Sequence, residues 1–228
     1  MTLLLSRIAL RRDGSAAALA RLLVPDGGAA PRSAAGHHLL WSLFADAPDR
    51  KRDFLWREEG PGRFLTLSAR APLDAHGLFQ LDSRPFEPAL RAGDRLRFAL
   101  RANPVVAVPG ARGERGKRAD VVMHMLYAVP RGDERIAARE TAIPEAGRAW
   151  LAKQGERHGF APEGEVGVDG YETIRMPRPG ARDARYGVLE FDGVLVVRDP
   201  ATFLAQLARG FGRARAFGCG LMLIRRAP

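Results

Sequence analysis

The stretch Arg95-Leu96-Arg97-Phe98-Ala99-Leu100-Arg101 places large apolar residues at every second position. Alternation of period two is the pattern of a half-buried β-strand. Leu96, Phe98 and Leu100 then point into a core, and Arg95, Arg97 and Arg101 line the opposite face. On its N-terminal side, residues 3–10 read as a first strand and 35–44 as a helix with Leu39, Leu40, Leu43 and Phe44 on its apolar side. Residues 53–58 and 63–70 read as strands paired across a Gly-Pro-Gly turn at 60–62. A short helical or irregular piece is expected over 72–79, and residues 95–106 close this half. A Gly/Ala/Pro-rich region over 14–36 leaves room for a short helix at 16–23.

The chain changes character beyond the arginine-studded strand. Residues 109–116 are Gly- and Arg-rich without apolar periodicity, which predicts a linker or loop. After it the order repeats: a strand at 121–129, a helix at 144–158, and paired strands at 171–176 and 186–197. A helix opens at Asp199-Pro200, with Asp as cap and Pro at the first helical position, and runs to 209. A last strand spans 221–225. Each half therefore reads strand, helix, strand, strand, helix, strand. The expected class is α+β, as tandem ferredoxin-like (RRM-like) βαββαβ domains. The expected boundaries are 1–107, a linker over 108–118, and 119–228. No aromatic RNP signature is present, and aromatic residues are only 7%, so readout by backbone and shape is favoured over base stacking.

Charge narrows the partner. The 228 residues carry a formal net charge of +10, and of the 36 basic residues only Lys51, Lys117 and Lys153 are lysine. Residues 84–118 hold nine basic and three acidic residues, and residues 209–228 hold five basic and none acidic. These two segments carry the whole excess. The pattern points to a polyanion, nucleic acid first; two solvated basic faces are the alternative, and a GC-rich genome would also enrich arginine. No apolar run approaches the ~20 residues of a membrane span, and no signal peptide is evident at the start. The single cysteine, Cys219, excludes a disulfide framework and a zinc site built on Cys pairs, and fits a reducing cytoplasm.

The most unusual string is Gly210-Phe211-Gly212-Arg213-Ala214-Arg215-Ala216-Phe217-Gly218-Cys219-Gly220. A dinucleotide fingerprint must follow a strand and open a helix. Here the glycines follow a helix and precede the last strand, so a nucleotide-cofactor enzyme is disfavoured and no cofactor is expected. Gly210, Gly212, Gly218 and Gly220 with Arg213 and Arg215 suit a phosphate-contacting loop; a tight connection whose glycines serve only packing is the other reading.

Several strings together resemble one family. They are His37-His38-Leu39-Leu40-Trp41-Ser42-Leu43-Phe44 with Arg52-Asp53-Phe54-Leu55, Leu96–Pro104, Gly116-Lys117-Arg118, Ala149-Trp150-Leu151, Phe191–Leu195 and the glycine-rich tail. In order and rough spacing the chain resembles the CasE-type CRISPR RNA endoribonucleases, the pre-crRNA-processing subunit of type I-E Cascade. The resemblance implies tandem ferredoxin-like folds and a metal-independent endoribonuclease. Its partners would be CRISPR repeat hairpin RNA and other Cascade subunits, with no membrane. It also implies that His37, four residues before Trp41, is the catalytic histidine, with the neighbouring His38 as the alternative. Two positions depart from the family pattern: Ala34 stands where a tyrosine is often found, and Ser42 where a basic residue or histidine sometimes is.

The chemistry suits these groups. RNA cleavage without metal uses the 2′-hydroxyl as nucleophile, and a histidine near its ordinary pKa of ~6.5 can accept or return the proton. The products would be a 2′,3′-cyclic phosphate and a 5′-hydroxyl. Cations stabilise the phosphorane, and the candidates are Lys117, Arg118, Arg213 and Arg215, with Arg95, Arg97 and Arg101 as further RNA contacts. No carboxylate cluster suggests a two-metal site. A non-catalytic hairpin-binding subunit is the alternative function.

Overall fold

The computed structural model describes residues 2–13, 29–47, 49–110, 116–176 and 183–228. The helix expected at 16–23 and residues 111–115 of the expected linker lie outside these. The N-terminal half runs β1 (Leu3–Leu10), α1 (Ala29–Ser42), β2 (Phe54–Gly60), β3 (Arg63–Ser68) and β4 (Phe79–Phe86), and its antiparallel sheet has the order β2-β3-β1-β4. Alternation along β1 turns Ile8 and Leu10 toward α1, where they meet Leu39, Leu40, Leu43, Phe44, Phe54, Trp56 and Phe64.

The second half runs β5 (Arg95–Ala102), β6 (Val105–Val108), β7 (Lys117–Asp120), α2 (Val121–Met125), a 3₁₀ turn (Leu126–Ala128), α3 (Asp133–His158), β8 (Phe160–Met176), β9 (Ala184–Val197), α4 (Pro200–Arg209), a second 3₁₀ turn (Arg215–Phe217) and β10 (Met222–Arg226). The four long strands pair in the order β10-β5-β9-β8. Each half thus repeats one arrangement, with its first strand flanked by its third and fourth. Leu96, Phe98 and Leu100 sink into a core with Trp150, Leu151, Phe191, Phe203 and Leu207, as the alternation predicts. Asp199 caps α4 by accepting from the Thr202 backbone N–H.

Several sequence expectations are corrected. The strand at 95–106 does not close the first sheet; β5 pairs with β9 and β10 and belongs to the second. The first sheet is closed by β4, paired with β1 from Leu3↔Phe86 to Leu10↔Phe79. Its sequence, Phe79-Gln80-Leu81-Asp82-Ser83-Arg84-Pro85-Phe86, hides the strand, because charges and proline are what an edge strand tolerates. Sheet membership therefore changes between Phe86 and Arg95, not at 108–118. Lys117 and Arg118 of that supposed linker lie in β7, which pairs with β6 as a hairpin.

The strand expected at 121–129 is helical. Asp120 caps α2, its carboxylate accepting from the backbone N–H groups of Val122 and Met123, and a short apolar run cannot by itself distinguish strand from helix. The expected helix at 144–158 starts eleven residues earlier, at Asp133, and carries Pro144 inside it. The first half also has no helix between β3 and β4. That connection is irregular, and the Asp74 carboxylate accepts from the backbone N–H groups of His76 and Phe79.

With the helices on the outer faces, the open faces of the two sheets meet. Leu55, Leu67 and Leu221 form a small buried cluster there, joined by Leu3, Leu5, Leu65, Phe86 and Leu223. Of the row Arg95, Arg97 and Arg101 on this strand face, Arg101 is partly buried between the sheets and Arg95 and Arg97 stay exposed.

Candidate active site

His37 sits on α1, half-buried, while His38 beside it is exposed. The His37 ring rests between two aromatic rings. Trp41, one turn on in the same helix, has its centroid 6.2 Å away, and Phe217, from the glycine-rich loop of the other half, is at 5.8 Å. The site is therefore built across the seam between the halves.

Trp56 of β2 makes that close approach possible. Its indole N–H donates to the Ala216 carbonyl at 3.1 Å. Its ring is clamped between two glycines: a Cβ on Gly36 would come within 2.8 Å of it and one on Gly218 within 3.1 Å. Gly36 directly precedes His37, and Gly218 directly follows Phe217. Gly218 also has φ +79, a left-handed conformation that only glycine takes without strain. Gly210, Gly212 and Gly220 share positive φ and lie against Leu55, the Asn103 backbone and the Phe211 backbone. All four glycines of the tail pack tightly against protein.

Arg52, ahead of β2, ties the loop down from the other side. Its guanidinium donates to the carbonyls of Arg215 at 2.7 Å and Phe54 at 3.1 Å. Burial lowers the His37 pKa from its ordinary value, and electrostatic repulsion from the neighbouring His38 and Arg52 lowers it further. Its Nδ1 is buried without a completed hydrogen bond, although the nearby Ala216 carbonyl still favours the protonated ring. The net result is an imidazole that is mostly neutral at pH 7.

The other predicted cations divide into two groups. Arg213 is exposed, and its backbone N–H donates to the Asn103 carbonyl. Asn103 also donates its side-chain amide to the Gly187 carbonyl at 2.7 Å, and it stands just before the β6–β7 hairpin that carries the exposed Lys117 and Arg118. Arg213 and the hairpin root thus meet at Asn103. The Arg215 guanidinium donates to the Arg209 carbonyl. The β5 row is used differently. Arg101, only 25% exposed, pairs with Glu190 at 2.6 Å and approaches Glu172 at 4.0 Å. It is thus part of an internal ion-pair network in the free protein. Arg95 pairs with Glu163, and Arg97 faces Arg225 directly across the β5–β10 ladder.

Arg101, Glu172 and Glu190 share a cavity of about 130 Å³ with Ser33, Trp56, Glu58, Phe217 and Gly218. Ser42, one of the departures from the family pattern, donates its hydroxyl to the Leu39 carbonyl. Ala34, the other, packs in a small cluster with Tyr186, Phe217 and Cys219. Among the described residues, no three His, Cys, Asp or Glu side chains gather as metal ligands, and no helix is long and apolar enough to cross a membrane.

The family model for CRISPR associated protein matches residues 3–226. The chain belongs to that family. Within it, the CRISPR-associated endoribonuclease Cse3 of Thermus thermophilus is 33% identical over 144 residues, 62% of this chain and 60% of that protein. The Cascade subunit CasE of Escherichia coli K12 is 29% identical over 195 residues, 82% of this chain and 88% of that one. The solved Thermus thermophilus Cse3 bound to an RNA representing a pre-cleavage complex superposes with a TM-score of 0.66 at 29% identity, over all of both chains. The chain is thus a CasE-type family member, and its two ferredoxin-like halves match the fold of that structure.

Sequence reasoning missed three parts of the site. Trp56 and Phe217 carried no motif of their own. Arg52 stood inside a quoted string but was given no role. Glycines placed either side of an aromatic contact were the available signal.

Proposed function

We propose that this CasE-type protein is a metal-independent endoribonuclease that cuts repeat-derived hairpin pre-crRNA and retains the mature crRNA for a Cascade complex. The observation that carries this reading is His37: one half-buried imidazole, kept mostly neutral, at a seam beside Arg52 and the glycine-rich loop that bears Arg213 and Arg215. A neutral imidazole takes the proton of the 2′-hydroxyl. The 2′-oxygen then bonds to phosphorus, the bond to the 5′-oxygen breaks, and that oxygen collects a proton. The ends are a 2′,3′-cyclic phosphate and a 5′-hydroxyl. Arginines near the phosphate offset the charge that builds on the phosphorane. Lys117 and Arg118 on the β6–β7 hairpin extend the cationic surface beyond Arg213 for the hairpin backbone. The Escherichia coli relative's name, a Cascade subunit, supports assembly with other subunits.

The test is single-turnover cleavage of a labelled repeat hairpin in EDTA, beside the same RNA carrying 2′-deoxyribose immediately 5′ of the cut. Cleavage of the first and none of the second is expected. Strict magnesium dependence would refute the mechanism, and tight binding without product would leave a non-catalytic hairpin-binding subunit.

A further inference from the structure

Phe217 has two aromatic neighbours with different tasks. On one side lies the His37 ring. On the other, the Tyr186 ring of β9 stacks on it at 5.7 Å with an interplanar angle of 19°. Tyr186 reaches this point along the outer part of the β8–β9 hairpin, where Ile174, Met176 and Val188 form a buried cluster with Cys219 against Ala34 of α1. The small side chain at Ala34, three residues before His37, lets the hairpin lie close to the helix.

The loop does not hold Phe217 by itself. The 3₁₀ turn Arg215–Phe217 is a single turn between two left-handed residues, Ala214 at φ 51 and Gly218 at φ 79. A left-handed alanine is strained and persists only where its surroundings over-determine it. The surroundings are Trp56 and Arg52 beneath the backbone and Tyr186 against the ring. Among the described residues, only Tyr186 stacks on the face of the Phe217 ring.

We infer that Tyr186 is a positioning residue for His37: its ring holds Phe217, and through Phe217 the imidazole, at the seam between the two halves. This rests on the His37 reading above. It assigns the tyrosine no contact with RNA and no proton transfer. Burial is the largest influence on the His37 titration, and the groups that face it are His38 on its own helix, Arg52 ahead of β2 and the Ala216 carbonyl of the loop. Removing the Tyr186 ring loosens the loop and reduces that burial.

The experiment uses the full chain with Tyr186→Ala, Tyr186→Leu and Tyr186→Phe. Leu keeps apolar volume without a flat ring, and Phe keeps the ring without the hydroxyl. The readouts are the His37 imidazole titration by NMR, single-turnover cleavage of the repeat hairpin and its binding constant. Ala and Leu should each move the His37 titration up toward its ordinary value. They should slow cleavage about 10- to 100-fold, the scale of an ångström-level misplacement, and leave hairpin binding unchanged. Phe should match the parent in all three. Because Leu repeats the test, a poorly folded Ala variant does not block it. A parental His37 titration and rate in both ring-less variants would overturn the inference, and so would a Phe variant that shifts like Ala. If the parent itself fails to cleave, the functional reading falls, while the NMR titration still decides the positioning role.

Discussion

The two stretches of the seam between the halves use different physics. Where the sheet faces meet, Leu3, Leu5, Leu65 and Leu67 press on Leu221 and Leu223, and Arg57 reaches Glu190 at 3.6 Å. Contacts of that kind give cohesion and tolerate small shifts. Where α1 meets the glycine-rich loop, Gly36, Trp56 and Gly218 pack at distances that leave no room for a methyl group. That stretch sets the position of one imidazole. A seam can hold two domains together loosely along one part and align a reactive group tightly along another, and the residue types report which is which.

The largest effect expected at the tight stretch is chemical. His37→Ala should lower single-turnover cleavage roughly 10²–10⁴-fold with hairpin affinity retained; an unchanged rate would move the search to His38→Ala. Next comes the clamp. Trp56 is 1% exposed, and a buried Trp→Ala change typically costs about 3–5 kcal/mol. Trp56→Ala should show that loss in denaturant unfolding together with slower cleavage. A variant that lost stability but cleaved at the parental rate would separate the clamp from the site and break the comparison.

The sequence made the arginine-studded strand legible because burial imposes a strict period of two: Leu96, Phe98 and Leu100 had one face to choose. It also made the α4 cap legible, since Asp199-Pro200 is a local signal. β4 was not legible, because an edge strand needs neither alternation nor freedom from proline. The same local reading placed β5 in the wrong sheet, as pairing partners far along the chain leave no trace in a short window. His37 was visible only through resemblance to a family. Its wall was invisible, since Trp56 and Phe217 come together from β2 and a loop some 160 residues later, and only the fold brings them into contact. Nor can composition show that Glu190 lies opposite Arg101.

The protonation of His37 sharpens the contrast further. Burial and the neighbouring His38 and Arg52 lower its pKa, so the base-competent neutral form gains population at lower pH than for a free histidine. The cleavage rate should rise with pH through an apparent value below the ~6.5 of a free histidine and be flat from neutrality upward; a rate that falls over that range would make His37 the acid instead. A smaller effect is expected at the rim. Arg213→Ala should weaken hairpin binding about equally across repeat sequences and lower the salt slope of log affinity by about 1, with cleavage of bound RNA less affected than by His37→Ala.

The smallest effect belongs to the cohesive stretch. Arg101 and Glu190 are 25% and 35% exposed, and such partly solvated pairs contribute about 1 kcal/mol or less. Arg101→Gln removes the charge but keeps a polar side chain beside Glu190 and Glu172. Unfolding free energy should fall by no more than about 1 kcal/mol, less at high salt, because the pair is partly screened already. Hairpin affinity and its salt slope should stay at the parental value, since the guanidinium is engaged by carboxylates. A salt slope reduced by about 1 would mean that Arg101 leaves Glu190 for a phosphate when RNA binds. The sheet-face stretch would then be part of the RNA surface, and the division between cohesion and alignment would hold only for the free protein.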